Sequence, residues 1–173
     1  MQREKKAKLH ENYPFKIVFP VLIVMLLTWL AALYIMFSLS CITGWLFVIF
    51  LVVLESSVYR EGCRHCYYYG KRCAFVRGKI APLFFKKRDG KAFSEREITW
   101  KDFLPQILVG LIPVIVGIAL LISRGFEWLM LIAVIYPVLN WFIINPILYG
   151  KLTCAHCKQG KKCCPALKFF DKM

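Results

Sequence analysis

The stretch IVFPVLIVMLLTWLAALYIMF, residues 17–37, runs for 21 residues without a charge. A helix rises 1.5 Å per residue, so roughly 20 such residues cross the ~30 Å hydrocarbon core of a bilayer. Three further apolar runs follow, Ile42–Tyr59, Phe103–Ser123 and Trp128–Tyr149, with 18, 21 and 22 residues. The second is the shortest and carries Glu55, Ser56 and Ser57 near its end. Buried helices of soluble proteins rarely stay uncharged over such lengths, so four membrane spans are expected. Pro20, Pro105, Pro113, Pro137 and Pro146 fall inside the runs. Spanning helices tolerate proline where neighbours satisfy the freed carbonyls. The first run exceeds the ~7–15 residues of a signal peptide and no small-x-small site follows it, so it is read as a retained helix.

Composition agrees with this reading. The chain is 59% hydrophobic yet carries 24 Lys+Arg against 10 Asp+Glu, a net charge of +14. Ordinary domains are about 45–50% apolar, so the two classes must be segregated along the chain. Five cations precede the first span, twelve lie between Arg60 and Lys101, and six lie between Lys151 and Lys172, leaving only Arg124 in a hairpin turn. Cationic loops stay in the cytoplasm. Both termini and the central loop are therefore expected inside the cell membrane, with the short turns Ser38–Cys41 and Arg124–Glu127 outside. The basic charge then records topology. Nucleic-acid binding loses its main argument, since no separate soluble domain could carry recognition.

The segments following the two hairpins resemble one another. Cys63-Arg64-His65-Cys66 precedes Gly70-Lys71-Arg72-Cys73, and Cys154-Ala155-His156-Cys157 precedes Gly160-Lys161-Lys162-Cys163. With one residue deleted, both read C-x-H-C, a spacer, Gly-Lys, a basic residue and Cys. Phe84-Phe85-Lys86-Lys87 is echoed by Phe169-Phe170-Asp171-Lys172, and Glu55 and Asn145 each stand four residues before a tyrosine. An internal duplication is expected, giving two tandem helical hairpins, each followed by a cytoplasmic Cys-rich knuckle. A pseudo-two-fold axis along the membrane normal would relate them. The expected organisation is a basic tail over 1–16, a first repeat over 17–87, a linker with a short interfacial helix over 88–102, and a second repeat over 103–173.

Seven of the eight cysteines lie in the cytoplasmic segments. Thiols there stay reduced, which disfavours a disulfide scaffold. A Cys-x-x-Cys turn followed by Gly and Lys suits metal binding, because two thiolates converge on one ion and nearby cations favour the thiolate. Candidate ligands are Cys63, Cys66, Cys73, Cys154, Cys157 and Cys163, with Cys164, His65 and His156 ranked lower. Each histidine directly precedes a ligating cysteine, which strains joint coordination. Either each knuckle holds its own ion, or Cys63, Cys66, Cys154 and Cys157 form one shared Cys₄ site. Zinc is the expected metal. An iron–sulfur cluster ranks below it, because Cys163-Cys164-Pro165 lacks ferredoxin spacing. The rival readings are a redox protein using the Cys pairs as dithiols, a soft-metal transporter, and free or lipidated thiols.

Glu55 and Asn145 are candidate intramembrane polar residues, and Thr28, Asn140 and Asn145 are expected to bridge helices. No nucleophile triad, H-E-x-x-H, phosphate loop or carboxylate pair is present. A non-catalytic structural, sensing or partner-docking role is expected; an enzyme would be an oxidoreductase. Ile80–Phe85 followed by Lys86, Lys87 and Arg88 reads as a patch dipping into the anionic inner leaflet. Ser94-Glu95-Arg96-Glu97 is a capping-box pattern that would open a short helix through Ile98, Thr99 and the interfacial anchor Trp100, running along the surface into the third span at Phe103.

Overall fold

A computed structural model describes residues 9–89 and 100–163. Long uncharged runs leave the backbone no water to bond, so they close their hydrogen bonds internally as helices. Helix α1 spans Phe15–Leu39 and α2 spans Cys41–Glu61, with only Ser40 between them. The short helix α3 covers Arg77–Phe84, α4 covers Trp100–Arg124, α5 covers Trp128–Leu139 and α6 covers Lys158–Cys163. Beyond α5 the helix widens to π geometry over Asn140–Ile144 and Pro146–Thr153. Among the described residues there is no β-strand, and four helices are long and apolar enough to cross a membrane. The chain is an all-helical membrane protein by these measures.

The second and last spans differ most from the sequence reading. The second span runs on to Glu61 and so reaches full crossing length, while Cys41 opens α2 instead of lying in the turn. The last span changes its winding where a single α-helix was expected. Pro137 and Pro146 each lack an N–H donor, so the i→i−4 ladder is broken on both sides of Asn140, which is where the wider winding sets in. The capping-box segment at 94–97 and the second Phe-Phe segment at 169–172 lie outside the described residues.

The chain divides into two compact units. One comprises Leu22–Ser56 and Thr99–Asn145, the central parts of the spans and both hairpin turns. Its core includes a cluster of Ala32, Met36, Phe47, Leu51 and Val109 and another of Ile35, Leu120, Met130, Ala133 and Val134. A Cβ at Gly117 would collide with the Val134 side chain, so glycine lets α4 approach α5 closely. Ile42, Leu46, Ile49, Ile115, Ile118 and Ile122 point outward, as side chains solvated by lipid should. At the turns, Arg124 Nη1 donates to Ser38 O at 2.6 Å and Tyr34 Oη donates to Glu127 Oε1 at 3.1 Å.

Mid-bundle polar groups are paired in part: among the described residues Asn140 bonds through its amide nitrogen, while its Oδ1 and that of Asn145 are buried without a partner. Asn140, 4% exposed, donates through Nδ2 to Thr28 Oγ1 at 2.8 Å. Thr28 in turn donates to Val24 O at 2.8 Å, and Tyr136 Oη reaches the same carbonyl at 3.2 Å.

The other unit comprises Met1–Val21, Ser57–Ile98 and Pro146–Met173. It gathers the start of α1, the end of α2 and the end of the last span. Both Cys-x-His-Cys segments therefore belong to one unit.

Candidate functional site

Each Cys-x-His-Cys segment folds as a single 3₁₀ turn, Cys63–His65 and Cys154–His156. The two turns share their entry geometry and their closing hydrogen bond. The residue before each, Gly62 or Thr153, has φ/ψ of −108°/−65° or −105°/−62°. Cys66 N donates to Cys63 O at 3.2 Å, and Cys157 N donates to Cys154 O at 3.1 Å. The second cysteine of each pair then leaves in extended geometry, so the chain turns sharply at the same point.

The turns are also tied to each other reciprocally. The amide of Tyr67, the residue after Cys66, donates to Gln159 Oε1 at 2.8 Å. The amide of Lys158, the residue after Cys157, donates to Tyr68 Oη at 3.1 Å. Each turn's outgoing amide is thus satisfied by the side chain two residues beyond the other turn. Tyr68 is 2% exposed and Gln159 7%, so these amides are satisfied by buried partners.

A third segment locks the pair. Residues 10–13 run beside both turns, with a parallel bridge between His10 and Cys157 and with His10 N donating to His156 O at 3.1 Å. Tyr68 Oη donates to His10 O at 2.7 Å, and Tyr13 Oη donates to Thr153 O at 2.7 Å. On the first knuckle's side, Tyr13 N donates to Arg72 O at 2.9 Å and Arg72 Nε returns a bond to Tyr13 O at 2.7 Å. The Arg72 guanidinium lies 4.1 Å from the centroid of the Phe15 ring, at the start of α1. Lys158 Nζ meets Glu11 Oε1 at 2.6 Å. That contact, chiefly its hydrogen bond, lowers the Glu11 carboxyl pKa and raises the Lys158 ammonium pKa.

Electrostatics at the centre follow from burial. The Tyr13 hydroxyl is pushed up from its ordinary value, first by burial and then by the neighbouring Cys157 and Tyr68. Tyr68 is raised by burial, opposed by the Lys158 amide and reinforced by Cys157 and Cys66. The thiols of both knuckles therefore act on one buried tyrosine.

The remaining sequence candidates are placed as follows. Cys73 Sγ accepts the Gly78 N–H at 3.2 Å. His65 has both ring nitrogens engaged: Nδ1 donates to Asp89 O at 2.8 Å and Nε2 accepts from Arg64 Nε at 3.1 Å. The His156 ring stacks obliquely on His10, centroids 5.3 Å apart. Cys163 ends α6, and Cys164 lies outside the described residues. Glu55 is half-buried on α2, while the Asn145 Oδ1 is buried without a hydrogen-bond partner among the described residues. Arg60 pairs with Glu61 at 3.5 Å.

The donor types suit zinc, but no three His, Cys, Asp or Glu side chains among the described residues gather into one ligand group. The backbone brings the two turns together; the side chains do not form a closed cage. Sequence reasoning missed His10, Tyr13, Tyr68 and Gln159. Tyr68 and Gln159 stand at the same offset from their turns, which is the one signal that could have revealed them.

Strain collects beside the first knuckle. Val76, a β-branched residue at the N-terminus of α3, has φ of +61°. This left-handed conformation costs an L-residue about 1–2 kcal/mol. Val76→Gly is expected to stabilise the protein by about 1 kcal/mol, less than the full strain because glycine gains freedom when unfolded. A raised thermal midpoint in detergent would show it; an unchanged or lower one would contradict the strain argument.

No family model, curated protein or solved structure matches this chain.

Proposed function

We propose that this is a membrane-embedded protein whose two Cys-x-His-Cys turns act together as one metal-binding knuckle pair, holding a single zinc ion through Cys63, Cys66, Cys154 and Cys157. The observation that carries this is the reciprocal capping of the two turns, Tyr67 N to Gln159 and Lys158 N to Tyr68. Two separate ion sites would give the turns no reason to exchange side-chain caps. The matched φ/ψ values before each turn support their origin as two copies of one unit.

His65 stays out of the ligand set, because an ion would have to displace Arg64 or Asp89 from its ring. The positive-inside pattern supports a cytoplasmic side for the pair. When bound, zinc would cross-link the segments after α2 and after the last span, a structural rather than catalytic role. The resulting rigid cytoplasmic face is suited to partner docking or sensing.

The test is elemental analysis and visible absorption of full-length protein purified without oxygen. Stoichiometric zinc without a visible band is expected. Iron with broad visible absorption would replace this reading with a redox one, and the absence of both metals with freely titrating thiols would remove it.

A further inference from the structure

Helix α3 and the extended segment after it form a second surface, distinct from the thiols. Gly78 and Ala81 occupy the packed face of α3, one turn apart. Its other side exposes Lys79, Pro82, Leu83 and Phe84, with Leu83 77% and Phe84 72% exposed. The chain leaves the helix at Phe85 in extended geometry and presents Lys86, Lys87 and Arg88 to the outside. No Asp or Glu occurs from Gly62 to Arg88. Large apolar side chains beside an unbroken cationic run match the two layers of a bilayer surface, acyl chains and anionic headgroups.

The surface is held in place. Tyr69 Oη donates to Phe85 O at 2.7 Å, Arg88 N donates to Arg64 O at 3.1 Å, and His65 Nδ1 donates to Asp89 O at 2.8 Å. The extended 85–89 segment is thus fastened along the first Cys turn. Arg72, in the same loop, packs on Phe15 where α1 begins.

We propose that Pro82–Arg88 is a docking surface for anionic phospholipid, with Leu83 and Phe84 inserted among acyl chains and Lys86, Lys87 and Arg88 on headgroup phosphates. It rests on the membrane assignment and not on the metal. Because this segment is bonded to the Cys63–Cys66 turn, lipid engagement also holds that turn in place.

The test uses full-length protein in nanodiscs of phosphatidylcholine, alone or mixed with phosphatidylglycerol, reading amide hydrogen exchange over residues 79–89. Phosphatidylglycerol should slow exchange there by about tenfold, in line with a contribution from each cation near an anionic surface. The triple substitution K86Q/K87Q/R88Q should abolish the phosphatidylglycerol effect, and L83S/F84S should remove protection in both lipids. Zinc content should be unchanged in both variants, which separates this result from the metal reading. Equal exchange in the two lipids overturns the proposal. So does slowing reproduced by inorganic phosphate in phosphatidylcholine discs, or protection that survives L83S/F84S.

Discussion

Cys66→Ser and Cys157→Ser are expected to lose the metal to the same extent, although the two residues lie in different turns far apart in the sequence. The equality follows from a shared site. Structural zinc contributes of order 10–16 kcal/mol in small peptides, and its four thiolates act as a unit. Removing any one of Cys63, Cys66, Cys154 or Cys157 should weaken binding well beyond the 10–100-fold typical of losing a supporting group around a metal. Exchange protection should fall in both 62–72 and 154–160, whichever turn is mutated. Cys73→Ser should retain the metal, because its sulfur already accepts the Gly78 amide and lies outside the proposed four. If Cys66→Ser disturbs only its own turn while the second keeps its ion, the sites are separate. Helicity by circular dichroism should change little, since the four spans carry most of the helix.

Gly78→Ala should destabilise the unit containing the Cys turns by about 3 kcal/mol, at the upper end of overpacking costs. A Cβ there would press on the backbone carbonyl of Tyr68 and lie 2.7 Å from that of Lys71. Backbone atoms cannot rotate away as a side chain could. The substitution also disturbs two bonds that organise the first knuckle: Gly70 N to Gly78 O at 2.8 Å and Gly78 N to Cys73 Sγ at 3.2 Å. Alanine's better helix propensity offsets no more than about 1 kcal/mol. Gly150→Ala is the matched control, because nothing lies within 4 Å of its would-be Cβ. A thermal midpoint unchanged in Gly78→Ala, or a similar fall in Gly150→Ala, would show that this close approach does not limit stability.

The spans were readable because their signal is simple. Uncharged runs of this length leave few alternatives: α1 exceeds its run by two residues at each end, and α4 by three at its start and one at its end. Of the three polar residues expected to bridge helices, Thr28 and Asn140 bond to each other, while the Asn145 Oδ1 is buried without a partner among the described residues. The π winding after Leu139 was not. Pro137 and Pro146 announce a disturbed ladder, but a proline can be accommodated by a kink, a bulge or a change of winding, and its neighbours decide.

At the site, the two turns were legible from the repeated C-x-H-C, since that spacing prescribes a local shape. The segment at His10–Tyr13 was not. It bonds chiefly through its backbone, with His10 N and O and Tyr13 N and O all engaged, and a backbone offers the same groups whatever the side chains. Residues 10–13, within the basic tail, bond to the segments around both turns. Val76 was illegible for the opposite reason, because a β-branched residue argues against the conformation it adopts.

The zinc-to-chain ratio of anaerobically purified full-length protein tests the central claim most directly. One zinc per chain is expected, falling to none in Cys66→Ser and in Cys157→Ser and staying at one in Cys73→Ser. Two per chain, or none with every cysteine free to react, would contradict a single site shared by the two turns.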